Sequence, residues 1–282
     1  MHVLTADDFQ SRKREKLLTF EDYEDEANHL GSAIPIGQRN LSAPEWLAGR
    51  DEGGKMRAGS VLARLSINFL TLSYSAGVNI EELRAFYPSV LDAWLLYEKF
   101  DLAFDQSPEG ASSTTATFAL LGDEFEKVNR MICFGILLGF GKQLPHVARI
   151  IEYKNPRMDG MLERLLSYYV PNRDVTIPKC TRHLPYFKTL KIFNAKPSAR
   201  PELMAEYLGD WYAASRREPY YESHKRGPGF KGYWSWEAAA ITFLLDIDDR
   251  SYRSAEFYPA DLVDFARRIK LDENALELFA RC

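Results

Sequence analysis

Residues 227–268 read GPGFKGYWSWEAAAITFLLDIDDRSYRSAEFYPADLVDFARR, and the centre of this stretch decides the fold. Trp236, Ala240, Phe243, Leu244 and Ile247 recur at helical spacing on one face, while Trp234, Ala238, Ile241 and Leu245 occupy a second. A helix apolar on two faces is buried between neighbours rather than laid on a surface. Trp234, Trp236, Ala240, Phe243 and Leu244 are therefore expected in the structural core, with the small residues 238–240 letting another backbone approach. Downstream, Pro259 opens another helix, with Leu262, Phe265, Ala266 and Ile269 facing inward. Its early Asp261 and Asp264 and its late Arg267, Arg268 and Lys270 complement the helix dipole at both ends.

Helical patterning extends over the rest of the chain. Thr5 followed by Asp7 and Asp8 reads as a capped helix start, and Phe9, Leu17, Phe20, Ala27 and Leu30 continue at helical spacing to Gly31. The Gly- and Pro-containing residues 31–54 read as a long loop. Val61, Leu65, Phe69 and Leu72 mark a helix from Met56 that ends at Gly77, and Asn79 caps the next, in which Pro88 is expected to cause a kink or a restart. A long apolar helix is expected over about 115–140, with Phe118, Leu121, Phe125, Val128 and Ile132 on one stripe. Shorter helices follow, one around 144–151, one marked by Met158, Met161, Leu162, Leu165 and Leu166, and one marked by Leu203, Met204, Tyr207, Leu208 and Trp211. No period-2 strand pattern appears. The reading is an all-α fold of antiparallel helix pairs in two halves without significant sheet, with domains at 1–142 and 143–282.

Composition narrows the function. Hydrophobic residues make up 46% of the 282 and aromatic residues 13%, enough for a substantial core. No run approaches the length of a membrane span, the first residues lack the apolar core of a secretory signal, and the cysteines, Cys133, Cys180 and Cys282, are odd in number and far apart. These features point to a cytoplasmic protein without disulfides. The net charge of −4 argues against a direct nucleic-acid binder. Residues 1–150 hold 15 Lys and Arg against 21 Asp and Glu, which is −6, and the remainder is therefore +2. Much of the excess sits in Glu21, Asp22, Glu24, Asp25 and Glu26, either a solvated face or an attractor for a basic partner.

Motifs that resemble chemistry have plainer readings. Residues 227–232 match GxGxxG, yet the preceding EPYYESHKR is no buried strand, so the glycines form an entry loop. Cys180-x-x-His183, with His224, lacks the second ligand pair of a zinc site. Asp246, Asp248 and Asp249 could cap the following turn, meet a partner or hold a hard cation, and the last option makes a metal-dependent hydrolase the alternative to a binding protein. No nucleophile elbow is present, and no cofactor is expected. Tyr220 and Tyr221, in a segment of mixed charge, are expected to pack over the core helix while their hydroxyls find polar partners.

Four blocks resemble one family: YYVPNRDVTIPKCTRHLPYFKTL (168–190), RREPYYESHK (216–225), KGYWSWEAAAITFLLDIDD (231–249) and FYPADLVDFAR (257–267). They are similar to the C-terminal domain of PoNi-type immunity proteins, closely over about 165–268, and the helical N-terminal half fits the family's N-terminal domain more loosely. The resemblance implies a non-enzymatic bacterial antitoxin of the cytoplasm. Such a protein binds a cognate PoNe-type DNase, a toxin often delivered by type VI secretion in interbacterial competition, and neutralises it. Either Glu21, Asp22, Glu24, Asp25 and Glu26, or Asp246, Asp248 and Asp249, are expected to supply an acidic toxin-binding surface for the nuclease's basic groove. A helical scaffold for another partner is the further alternative.

Overall fold

The protein is described from a computed structural model that covers residues 1–111, 120, 123–153, 155, 159–227 and 229–279, with the side chains of 123 and 273–279 left aside. Every regular element among these residues is a helix, so the fold is all-α. Two compact units divide the chain. Met1–Ala119 with Glu222–Gly232 form the first, and Leu120–Tyr221 with Tyr233–Cys282 form the second.

The first unit is built on α1 (Ala6–Arg12), α2 (Phe20–Ser42), α3 (Pro44–Ala48), α4 (Glu52–Ala76) and α5 (Ile80–Asp105). Thr5 caps α1 by accepting the Asp8 N–H at 3.2 Å, as the sequence suggested. The run expected to continue to Gly31 instead breaks after Arg12 and restarts with Thr19 as a second N-cap, its hydroxyl accepting from the Asp22 N–H at 3.1 Å.

The loop expected at 31–54 is not there. α2 continues through Gly31, Pro35 and Gly37 to Ser42, and α3 and the start of α4 occupy the rest. The physical reason is burial: Tyr23, Ala27, Leu30, Ile34 and Leu41 form one buried stripe, and α2 packs along α4. Gly37 serves this packing, since a Cβ there would stand 3.2 Å from a Leu62 methyl. Such contacts outweigh the roughly 3 kcal/mol that a proline costs inside a helix.

α4 ends where the sequence placed its stop. Gly77 adopts φ +96°, and a Cβ there would lie 2.3 Å from the Arg12 carbonyl oxygen, so both the backbone conformation and the space require glycine. Asn79 caps α5 through the Glu81 N–H at 2.8 Å. α5 neither ends nor restarts at Pro88, because Tyr87, Val90, Leu91 and Trp94 stay buried in the broad packing of α5 on α4.

The second unit contains α6 (Asp123–Leu137), α7 (Leu144–Glu152), α8 (Gly160–Leu166), α9 (Thr189–Asn194), α10 (Arg200–Ala214), α11 (Trp236–Leu244) and α12 (Ala260–Phe279). α6 is the described part of the helix expected over 115–140; Phe118 and Leu121, like Met158 ahead of α8, lie outside the described residues. By packing, α6 belongs with α11 and α12 in the second unit, although its position in the chain suggested the N-terminal half. Phe134 on α6 meets Trp236 on α11 at 4.6 Å between ring centroids.

α11 is buried on all sides from Trp236 to Thr242, as its double apolar face requires. It is shorter than the apolar run. Trp234 and Ser235 precede it, with the Ser235 N–H bonded to the Phe257 carbonyl at 2.8 Å, and Ile247 follows it. Trp234, Trp236 and Ala240 are core residues, while Phe243 and Leu244 are half-buried at the helix end, the Phe243 ring lying 5.5 Å from the Lys270 ammonium.

Candidate functional site

The stripe that buries α2 leaves its first two turns acidic on the outside. Glu21, Asp22, Glu24 and Asp25 are exposed, and among the described residues Glu21, Glu24 and Asp25 have no ion pair. Asp22 closes the cap by accepting the Thr19 hydroxyl at 2.6 Å. Glu26 is different, being half-buried with its carboxylate 3.4 Å from Lys231. Four carboxylates at a helix N-terminus are supported by the dipole and project a concentrated negative field into solvent.

The acids at 246–249 are not a single cluster. Asp246 is exposed, at φ +49°, just past α11. Asp248 caps the next turn, accepting the Arg250 N–H at 3.2 Å and both Nε and Nη2 of its guanidinium. These bonds hold the Asp248 carboxyl down to about 2. Asp249 is buried, which corrects the expectation of a surface acid there. Its Oδ1 accepts from Arg267 at 3.0 Å, and its Oδ2 accepts from Tyr258 at 3.1 Å and Arg253 at 3.2 Å. Both oxygens are committed, two cations already sit beside them, and Asp249 fastens the turn to α12. Among the described residues no three His, Cys, Asp or Glu side chains converge as metal ligands, and so neither this set nor Cys180, His183 and His224 forms one.

A concentrated polar site in the second unit went unread in the sequence. Glu237, the one acid in the apolar run of α11, is 1% exposed. Its Oε1 accepts from Ser235 Oγ at 2.7 Å, Tyr207 OH at 2.7 Å and Trp211 Nε1 at 2.8 Å, and its Oε2 accepts from Asn129 Nδ2 at 3.0 Å. One side chain thus joins α6, α10 and α11. Burial, and after it the charge of Glu237, push the Cys133 thiol and the Tyr207 and Tyr220 hydroxyls far above their ordinary values. A thiol and phenols held protonated are poor nucleophiles and bases, so the arrangement serves structure. A lone charge inside an apolar helix was the available signal, because a buried carboxylate demands donors.

Of the tyrosines before the glycine-containing loop, Tyr220 has the polar partners expected of it, and both rings pack on α10 instead of α11. Tyr220 stacks on Trp211 at 5.5 Å, and its hydroxyl lies 3.0 Å from Ser215 Oγ and 3.3 Å from Tyr186 OH. Tyr221 contacts Tyr212 at 4.8 Å. Cavities open in this unit among the described residues. One of about 420 Å³ has Arg182 paired with Glu218 at 2.8 Å in its wall, beside Arg216 and Arg217, and another, of about 490 Å³, lies between α8, α9 and α10.

The fold and one segment of the chain have counterparts among known proteins. The crystal structure of protein PA2201 from Pseudomonas aeruginosa superposes with a TM-score of 0.71 over 92% of both chains at 20% identity, a likeness of fold. Among the curated proteins no match is found. Residues 157–262 match the family described as PoNe immunity proteins (PoNi), C-terminal, a range that spans α8 to the first turn of α12 and includes Glu237 and Asp249. Over this segment the chain is similar to the PoNi-type immunity proteins.

Proposed function

We propose that the protein is an antitoxin that binds a cognate DNase toxin and neutralises it by direct contact, without catalysis of its own. The observation that carries this reading is the match of residues 157–262 to the PoNi C-terminal family. The exposed acids of α2 are in keeping with it: a nuclease presents a basic groove to phosphates, and a negative patch accelerates association with such a groove and competes with DNA for it. In this reading Glu21, Asp22, Glu24 and Asp25 carry the toxin-facing charge, with Asp246 and Asp248 as a second, smaller contribution, while Glu26 is engaged by Lys231. The protein acts in the bacterial cytoplasm, where an incoming nuclease meets the chromosome, and it protects against a toxin of the kind exchanged through type VI secretion. In this reading its partner is the toxin alone, with no cofactor, nucleic acid or membrane involved.

The first experiment is survival: express the toxin encoded beside this gene with and without the protein. Full killing in the presence of the folded protein would overturn the reading. The second replaces Glu21, Glu24 and Asp25 by Lys and Asp22 by Asn, with Asp246→Lys made separately. The combined α2 variant is expected to slow association about tenfold or more at low salt, an effect that shrinks as salt screens it. Unchanged kinetics in both variants would remove the acids from the interface.

A further inference from the structure

We propose that the cavity between α8, α9 and α10 is a docking pocket for an acidic side chain, flanked by apolar residues, that the protein partner presents. The inference rests on the reading of the chain as a protein-binding antitoxin and adds a place and a chemistry to it. Its origin is Arg164, a cavity-lining residue of α8 that is 6% exposed. Its Nη1 donates to the carbonyl oxygens of Gly160 at 2.8 Å and Ile177 at 2.9 Å. No carboxylate of the described residues comes within ion-pair distance of it, and Asp174 acts on it only from farther away.

Other guanidiniums buried as deeply in this unit are paired. Arg130 has Glu126 at 3.4 Å, and Arg173 has Glu163 at 2.6 Å and Glu152 as well. A buried guanidinium held by carbonyl dipoles alone is short of an anion. Two such contacts orient its planar fork and leave the remaining donors for a carboxylate.

The rest of the pocket narrows the occupant. Arg164, Lys188 and Lys191 face Glu206 and Asp210 across the lining, three cations against two carboxylates, so one positive charge remains. Lys188 and Asp210 neutralise each other at 2.7 Å. A single carboxylate matches that surplus, whereas Glu206 and Asp210 repel a phosphate dianion. Leu190, Ile192 and Leu203 line the same space and Phe187 stands 38% exposed at its edge, so apolar neighbours of the acid have surface to cover. About 490 Å³ accommodates a few side chains, not a whole helix.

The test uses the full chain and a catalytically inactive form of the neighbouring gene's toxin, with affinity read by calorimetry. Arg164→Gln is the direct variant, but it also removes the donor to two carbonyls and can weaken the fold. Leu203→Glu and Lys191→Glu leave Arg164 in place; the first adds a competing carboxylate to the pocket lining, and the second reverses the rim charge. Each is expected to weaken binding about tenfold or more with an unchanged circular dichroism spectrum and unfolding midpoint, and amides of residues 186–194 and 203–210 gain exchange protection in the wild-type complex. Wild-type affinity in both variants, with no protection of those amides, would overturn the pocket while leaving the antitoxin reading intact. Failure of the wild-type protein to bind the toxin would overturn that reading and the pocket with it.

Discussion

Replacing Glu237 by alanine tests the keystone of the second unit. The carboxylate accepts from Tyr207, Trp211, Ser235 and Asn129, all within 3.0 Å and all buried. Each donor left without an acceptor in a dry interior costs about 1–3 kcal/mol. Ser235 and Asn129 can turn toward other acceptors, whereas the Tyr207 hydroxyl and the Trp211 indole are held by packing, so two orphaned donors set a cost of about 4 kcal/mol. The void left by the lost carboxyethyl group adds about 1 kcal/mol, and relief from burying a charge subtracts a similar amount. The net of about 4 kcal/mol is a large part of a typical domain's 5–15 kcal/mol. Glu237→Gln keeps the shape and one acceptor, and Asn129 can present its amide oxygen to the new NH2 group, so its cost is about 1–2 kcal/mol. Urea unfolding followed by tryptophan fluorescence reads both variants. An alanine variant within about 1 kcal/mol of wild type would refute the keystone role, and a glutamine variant as damaged as the alanine one would show that charge, not hydrogen-bond acceptance, is what the site needs.

Gly77→Ala puts a Cβ where the Arg12 carbonyl already sits and at a positive φ, and it should cost at least about 2 kcal/mol in the first unit, read as a lowered unfolding midpoint. Trp236→Ala removes a buried ring that contacts Phe134 and should cost about 3–5 kcal/mol, so any loss of protection in cells is expected to track loss of folded protein, not loss of toxin affinity per folded molecule. Because the Asp248 carboxyl is lowered to about 2 chiefly by Arg250, Arg250→Ala should return its titration toward the ordinary carboxylate range in a carbon-detected NMR titration. The sign for stability follows: a lowered carboxyl favours the fold above about pH 4, and its contribution fades as the pH falls toward about 2, so the variant should lose part of the wild-type protein's acid dependence.

Periodicity made much of the fold legible before any coordinates. The apolar run around Trp236–Leu244 read as a core helix, and the caps at Thr5 and Asn79 and the stop at Gly77 are local chemistry, settled by a side-chain oxygen or by the absence of a Cβ within a few residues. Where the reading failed, a long-range contact had overruled a local preference. Gly31, Pro35 and Gly37 signal a loop, yet α2 runs through them because Leu30, Ile34 and Leu41 gain more by burial against α4 than the breakers lose. Pro88 stays within α5 for the same reason.

The candidate surfaces divide in the same way. That residues 21–26 are acidic is a fact of composition, and that four of these acids face solvent follows from the buried stripe between them. The 246–249 acids look alike in one dimension, but Asp248 folds back on Arg250 within its own turn, whereas Asp249 is drawn inward by Arg267 and Tyr258 from beyond the turn. By itself the sequence determined the helical class, the family blocks and the sign of the exposed charge, because these depend on residue type and short spacing. Only the tertiary structure decided which acids are buried, that Glu237 gathers donors from α6, α10 and the start of its own helix, and that no carboxylate of the described residues pairs with Arg164, because each depends on side chains far apart in the chain meeting in a space from which water is excluded.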